Sequence, residues 1–405
     1  LSDKAHKPAT RVVEAGRKHE WVSVPGSKGS VVNPPVWRAS THLYDDSEDL
    51  AGGRPNEDGH FYYGRRGGPT QWALADALTG LEPGADGTEL FPSGVAAIAC
   101  TLMAVLRPGD ELLVTDNAYE PTRNIALSML RQFGITATPF DPLEPESLAS
   151  AITEKTKAVM LESPGSLTME VCDIPALAAI ARDRGVLSII DNTWATPLGF
   201  PALERGCDIS VMSLTKHVGG HSDVMMGSAS AAKPVINRIR RQAQFMGQVV
   251  SPDDSALALR GLRTMQVRLE RSTKTALQIA EWLSSSAEVS AVLCPMLPGA
   301  PGHDLWQRDF SGACGLFSFV LAEGCDIAAR ARLIDALDLF GVGFSWGGFE
   351  SLAIPFDPAP VHTLRPWPPG IDTGSGLGVR LSIGLEDADD LIGDLAKGFD
   401  AMGAK

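Results

Sequence analysis

The sequence predicts an α/β protein with a mostly parallel sheet flanked by helices over residues 61–255. A smaller C-terminal α+β domain is expected over 256–405 and an extended N-terminal arm over 1–60. Three observations carry this reading. Between residues 70 and 250, short continuous apolar runs alternate with segments of helical spacing, the pattern of strands buried on both faces and joined by helices. Near Ser251 the texture changes to one long helical stretch followed by fewer, mixed elements. The first sixty residues are rich in Gly, Pro, Asp and charge, with little periodicity.

Within the arm, "PGSKGSVVNPPVW" and "EDLAGGRPNEDGH" have loop composition, and the arm is expected to pack on a neighbouring subunit. "GVAAIACTLMAVL", Gly94 to Leu106, reads as a buried helix, and "RPGD" then turns into the strand "ELLVT". "KAVMLESP" is a strand that ends in a turn at Ser163, Pro164 and Gly165. "IPALAAIARDRG" has helical spacing with a Gly stop. "VLSIIDNTWA" and "CDISVMSLT" are the next buried strands. In the long helix after Ser251, Leu262, Val267, Leu269, Ala276 and Ile279 are expected core contacts. "GACGLFSFVLAEG" reads as a strand, "IAARARLIDALDLF" as a helix and "GVRLSIGLED" as a strand ending in a turn.

At 405 residues, two or more packed units are expected. A hydrophobic fraction of 44% and a charged fraction of 21% fit a soluble globular protein. The net charge of −14 argues against nucleic acid or an anionic membrane as partner. No apolar run approaches the ~18 residues of a membrane span, and the polar N-terminus lacks the apolar core of a signal peptide. Cys100, Cys172, Cys207, Cys294, Cys314 and Cys325 form no C-x-x-C pair and are expected as buried free thiols. A reduced, cytoplasmic setting follows.

Parallel sheets bind ligands at the carboxyl ends of their strands. Those ends supply Ser93-Gly94, Tyr119, Ser163, Asp191-Asn192 and the stretch Ser213 to Lys216. A Walker loop is excluded, because Gly219 and Gly220 follow Lys216 instead of preceding it. The dinucleotide signature fails too: Gly347 comes one residue late after Gly341 and Gly343. His217 and His221 enclose two glycines and lack a neighbouring Glu, which fits a loop or core role better than a zinc site. Pyridoxal phosphate needs a lysine, a carboxylate for its ring nitrogen and an anion site for its phosphate. "FPSGVAAIA" offers the last of these at a helix N-terminus. On these residues alone, cofactor roles and ordinary turn, cap and surface roles both stay open.

The motifs "YGRRG", "FPSG", "NAYEP", "ESPGS", "DNTW", "SLTKHVGGHSD", "GLRT", "SWGGFES" and "RLSIGLED" occur in this order. In this the chain resembles the cysteine/methionine-metabolism family of pyridoxal-phosphate enzymes over residues 10 to 400. "AYEP", "ESPGSLTMEV", "IDNTWA", "GHSD" and "RDFSGACGLFSFVL" are similar in particular to the β-lyases of that family. The resemblance implies the fold of the aspartate-aminotransferase type (fold type I), a homotetramer of two catalytic dimers and a thioether amino acid as substrate, with L-cystathionine first among the candidates. It also leaves γ-acting enzymes, other cysteine-conjugate lyases and a cofactor-retaining regulatory protein as alternatives.

Residue by residue, the resemblance implies that Lys216 bonds the cofactor aldehyde and later shuttles protons. Asp191 would pair with the ring nitrogen and Tyr119 would stack on the ring. Ser93, Gly94, Val95, Ser213 and Thr215 would cradle the phosphate, with Tyr63 and Arg65 reaching it across the dimer interface. Arg380 would hold the substrate carboxylate with help from Ser345, and Trp346 would wall the pocket. "ESPGSLT" offers Ser166 and Thr168 where the wider family has an Asn, so the second carboxylate contact stays open.

Overall fold

The computed structural model describes residues 6–24, 26–52 and 62–403. The loop expected at 48–60 begins instead in a short helix, Ser47–Ala51, whose first turn is capped by the Asp46 side chain accepting from Asp49 N, and its part at 53–60 lies outside the described residues. In chain order the strands are β1 (Gly87–Phe91), β2 (Glu111–Thr115), β3 (Thr136–Phe140), β4 (Thr156–Glu162), β5 (Leu187–Asp191) and β6 (Ile209–Ser213). They continue with β7 (Gly227–Ala231), β8 (Val289–Leu293), β9 (Leu316–Leu321), β10 (Gly341–Val342), β11 (Leu352–Phe356) and β12 (Gly378–Ser382). The chain forms two compact units, Leu1–Val105 with Asp208–Gln266, and Leu106–Cys207 with Val267–Lys405.

In the first unit, β7 pairs antiparallel with both β1 and β6. The helix Gly94–Val105 is apolar on most sides and packs against β6, β7 and the helix Val235–Phe245. Where composition alone predicts loop, residues 8–22 contain two short helices, Pro8–Glu14 and His19–Val22, which pack on this same unit. Val12 and Trp21 are buried, and the Trp21 indole donates to Asp76 at 2.9 Å. Helices this short draw their stability from such contacts, which local sequence does not display. Residues 26–46 contain no strand or full helix and are largely exposed.

In the second unit, β5, β4, β2 and β3 run parallel in that order. The central residues of β5, β4 and β2 are buried on both faces, as continuous apolar runs require, while the edge strand β3 is largely exposed. The same unit holds a five-stranded sheet in the order β10-β11-β12-β9-β8. Every residue of β9 is buried.

The helix Pro252–Leu283 is 32 residues long. Leu262, Leu269, Ala276 and Ile279 are buried along it, but Val267 is 61% exposed, which corrects its assignment to the core. Leu262, Leu269 and Ala276 recur at sevens on one face; Val267 comes five residues after Leu262, about 140° round the helix. Five of the six cysteines are buried and Cys325 is half-buried. No helix of the described residues is long and apolar enough to cross a membrane.

The loop from β11 to β12 is anchored at one carboxylate. Asp116, 2% exposed, accepts from the backbone N–H groups of Thr363, Leu364 and Arg365 and from the Thr363 hydroxyl. It also pairs with buried Arg123 at 2.6 Å. Burial alone would raise the Asp116 pKa; Arg123, Leu364 and Thr363 together outweigh it and hold the pKa below its ordinary value. Its stabilisation is therefore present above the unfolded-state carboxylate pKa and is lost as pH falls through the depressed folded one. Asp116→Ala strands Arg123 and is expected to cost about 3–5 kcal/mol, read as a lower urea midpoint at pH 7. The gap between wild type and variant should close as pH falls below the carboxylate range.

Candidate active site

The first unit brings Ser93, Gly94, Val95, Ser213, Thr215 and Lys216 onto two adjoining strand ends. β1 runs into the helix Gly94–Val105, whose first turn is capped by the Ser93 hydroxyl accepting from Ala96 N at 3.1 Å. A Cβ on Gly94 would lie 2.7 Å from Ser213 Cβ, so the turn after β1 touches the end of β6 and only glycine fits there. The N–H groups at the start of this helix form an anion site by geometry and dipole. Thr215 is clamped to its own loop: its hydroxyl donates to Met226 O at 3.2 Å and accepts from Met226 N at 3.0 Å. Contact with a phosphate as donor requires exchanging the first of these bonds.

Lys216 is half-buried in the turn that follows β6, and its N–H donates to Ser213 O at 3.2 Å. Gly220, at φ +67°, bends the chain away while its N–H returns to Lys216 O at 2.7 Å. His217 is buried, and His221 Nδ1 lies 2.8 Å from Gly219 O. Tyr63 and Arg65 are exposed on the same unit. Arg65 donates to Gln244 O at 3.2 Å, and the Arg66 guanidinium sits 4.5 Å over the Tyr62 ring. Tyr62 is thus occupied within the chain.

The second unit brings together Tyr119, Asp191, Arg380 and Ser345. Asp191 ends β5, and its Oδ1 accepts from Thr193 N at 3.0 Å and from the Thr193 hydroxyl. Tyr119 precedes the helix Glu120–Asn124 and is 42% exposed. Burial of its hydroxyl raises the Tyr119 pKa, the Glu162 and Asp191 carboxyls raise it further, and Arg380 opposes them; all three groups act on this one ring. Arg380, on β12, donates to Ser345 O at 3.0 Å, while its buried Nε has no hydrogen bond among the described residues. Burial lowers the Arg380 pKa to about 10, which leaves the guanidinium charged at neutral pH. Ser345 has φ +88°, a strained value for a residue with a side chain, and Trp346 follows it half-buried.

Ser166 and Thr168 have different surroundings. Thr168 is buried, with its hydroxyl 3.4 Å from Ser166 O and 3.5 Å from His362 Nδ1. Ser166 remains half-buried. Sequence reasoning overlooked Glu162, Thr193 and Asp116. The first two had a usable signal, since each lies at a strand end inside a motif already singled out.

The groups that pyridoxal phosphate requires are present, divided between the two units. The glycine-only turn at Gly94 offers helix N–H groups to a phosphate, Lys216 stands at the end of β6, and Asp191 is a carboxylate oriented by Thr193. Arg380 presents a half-buried fork with an open Nε donor, the chemistry that a carboxylate requires.

Comparison with known proteins agrees. The family "Cys/Met metabolism PLP-dependent enzyme" matches residues 9–400. The chain is 41% identical over 402 residues to the cystathionine beta-lyase MetC of Escherichia coli (strain K12), covering 98% of this chain and 99% of that one. It is 34% identical over 403 residues to a cystathionine gamma-synthase of Mycobacterium bovis, with 96% and 95% covered. The crystal structure of metB from Corynebacterium glutamicum superposes with a TM-score of 0.86 at 28% identity, over 99% of each chain.

Proposed function

The chain belongs to the Cys/Met-metabolism family of pyridoxal-phosphate-dependent enzymes, and from that premise we propose a carbon–sulfur β-lyase whose substrate is L-cystathionine. The observation that carries the reading is the likeness to a cystathionine beta-lyase along nearly the whole of both chains. Trp346, half-buried, follows Ser345, whose carbonyl accepts from Arg380, and the reading makes it a wall of the substrate pocket.

The cofactor, when bound, supplies an electron sink for charge developing at the substrate Cα. Lys216 would hold it covalently and would serve as the base for the substrate Cα proton, a task suited to a half-buried amine. Asp191 would pair with the ring nitrogen, and Tyr119 would supply an aromatic face for the ring. Ser93, Gly94, Val95, Ser213 and Thr215 hold the phosphate, joined by Tyr63 and Arg65 from a second copy. Arg380 binds the α-carboxylate, Ser345 shapes its loop and Trp346 bounds the side chain. Homocysteine leaves from Cβ, and one water hydrolyses the remaining three-carbon fragment to pyruvate and ammonia. A homotetramer, a cytoplasmic setting and the division 1–60, 61–255 and 256–405 belong to the same reading.

A γ-acting enzyme is the second reading, favoured by the 34% identity to a gamma-synthase. A substrate panel separates the two. Cystine, with sulfur only on Cβ, is expected to be cleaved; methionine, with sulfur only on Cγ, is expected to be inert. Release of methanethiol from methionine at a comparable rate would reject β-elimination.

A further inference from the structure

We propose that Glu162 is a positioning residue that holds Tyr119 in place beside Asp191. The inference rests on the assignment of Tyr119 and Asp191 to the cofactor ring. Tyr119 precedes the helix Glu120–Asn124, so its N–H lies outside the helical bonding. That N–H donates to Glu162 Oε2 at 2.7 Å. The ring itself is 42% exposed, so packing alone does not fix it. The backbone bond to the end of β4 is what sets where the ring begins.

Glu162 is the last residue of β4 and stands in register with Asp191, the last residue of the parallel strand β5. Registered neighbours share a face of the sheet, with strands about 4.8 Å apart. Two carboxyl groups side by side favour sharing a single negative charge. Thr193 donates twice to Asp191 Oδ1, which stabilises the charge on Asp191. Burial and then Asp191 push the Glu162 pKa well above its ordinary value, with Glu170 adding to the effect and the Tyr119 N–H opposing it. A neutral Glu162 still accepts from Tyr119 N through its carbonyl oxygen, and it leaves the charge on Asp191 for the ring nitrogen. An isosteric amide should therefore replace it, whereas loss of the acceptor should not be tolerated.

The test uses purified apoprotein of wild type, Glu162→Gln, Glu162→Ala, Glu162→Asp and Asp191→Asn. Each is titrated with pyridoxal phosphate, followed by visible absorbance and visible circular dichroism, with the apoprotein melting temperature recorded alongside. Glu162→Gln is expected to keep the cofactor Kd within about threefold and the dichroic band unchanged, and Glu162→Ala to weaken binding by about tenfold, the loss of one hydrogen bond, and to alter the band. Glu162→Asp, which withdraws the acceptor by one methylene, should resemble the alanine variant and decides the matter if that one does not fold. Wild-type affinity and dichroism in both shortened variants would overturn the proposal, as would a glutamine variant as impaired as alanine. Asp191→Asn separates the two levels. A weakened Asp191→Asn beside a normal Glu162→Ala removes the positioning role alone, and an unaffected Asp191→Asn removes the cofactor assignment beneath it.

Discussion

Lys216→Ala is expected to lose the visible absorbance of the lysine-bound cofactor and to lower turnover by 10³-fold or more, on the order of what a positioned proton-transfer group contributes. The fold should survive, because the lysine side chain lies half-buried in a turn whose backbone bonds, Lys216 N to Ser213 O and Gly220 N to Lys216 O, do not involve it. Spectra of the variant supplied with pyridoxal phosphate, beside single-turnover rates, give the measurement. Added alkylamines should restore part of the rate if the missing group acts as a base. A yellow, active Lys216→Ala protein would remove Lys216 from the chemistry altogether.

The second large effect is expected at Arg380. The residue is half-buried and charged, one bond to Ser345 O fixes its guanidinium, and the buried Nε has no hydrogen bond among the described residues. Arg380→Ala should lower kcat/KM by about 10²- to 10³-fold, the worth of two charge-assisted hydrogen bonds. Most of that loss should appear in KM, because a carboxylate is held equally before and during the reaction. Arg380→Lys should recover little, since an ammonium offers no planar fork. Decarboxylated substrate analogues, lacking the group that Arg380 holds, should discriminate poorly between wild type and variant. Steady-state kinetics on both substrate types would settle this, and an Arg380→Ala enzyme with unchanged KM would contradict the role.

How far the sequence reached follows from the range of the interactions. Buried strands were legible because residues such as Leu187 to Asp191 form a continuous apolar run that ends in a polar residue at the sheet's carboxyl edge. The helix at Gly94 was legible because Ser93 caps it within three residues. Asp116 was not, since the N–H groups it gathers lie 247 and more residues further on. Glu162 looked like any strand-end carboxylate until the register set it beside Asp191 and the fold brought Tyr119 N to it. Val267 was misplaced because an apolar residue was read as buried without its angle round the helix. Local pattern thus disclosed elements and strand ends. Which polar groups meet there required the tertiary structure.

The central proposal is elimination at Cβ, and the products of L-cystathionine test it most directly. The thioether sulfur joins a three-carbon and a four-carbon arm, so the keto acid records which carbon–sulfur bond broke. Nuclear magnetic resonance of the reaction mixture should show pyruvate and homocysteine in equal amounts, with one ammonia per turnover. Accumulation of 2-oxobutyrate and cysteine would contradict the assignment and place the chain with the γ-acting members of its family.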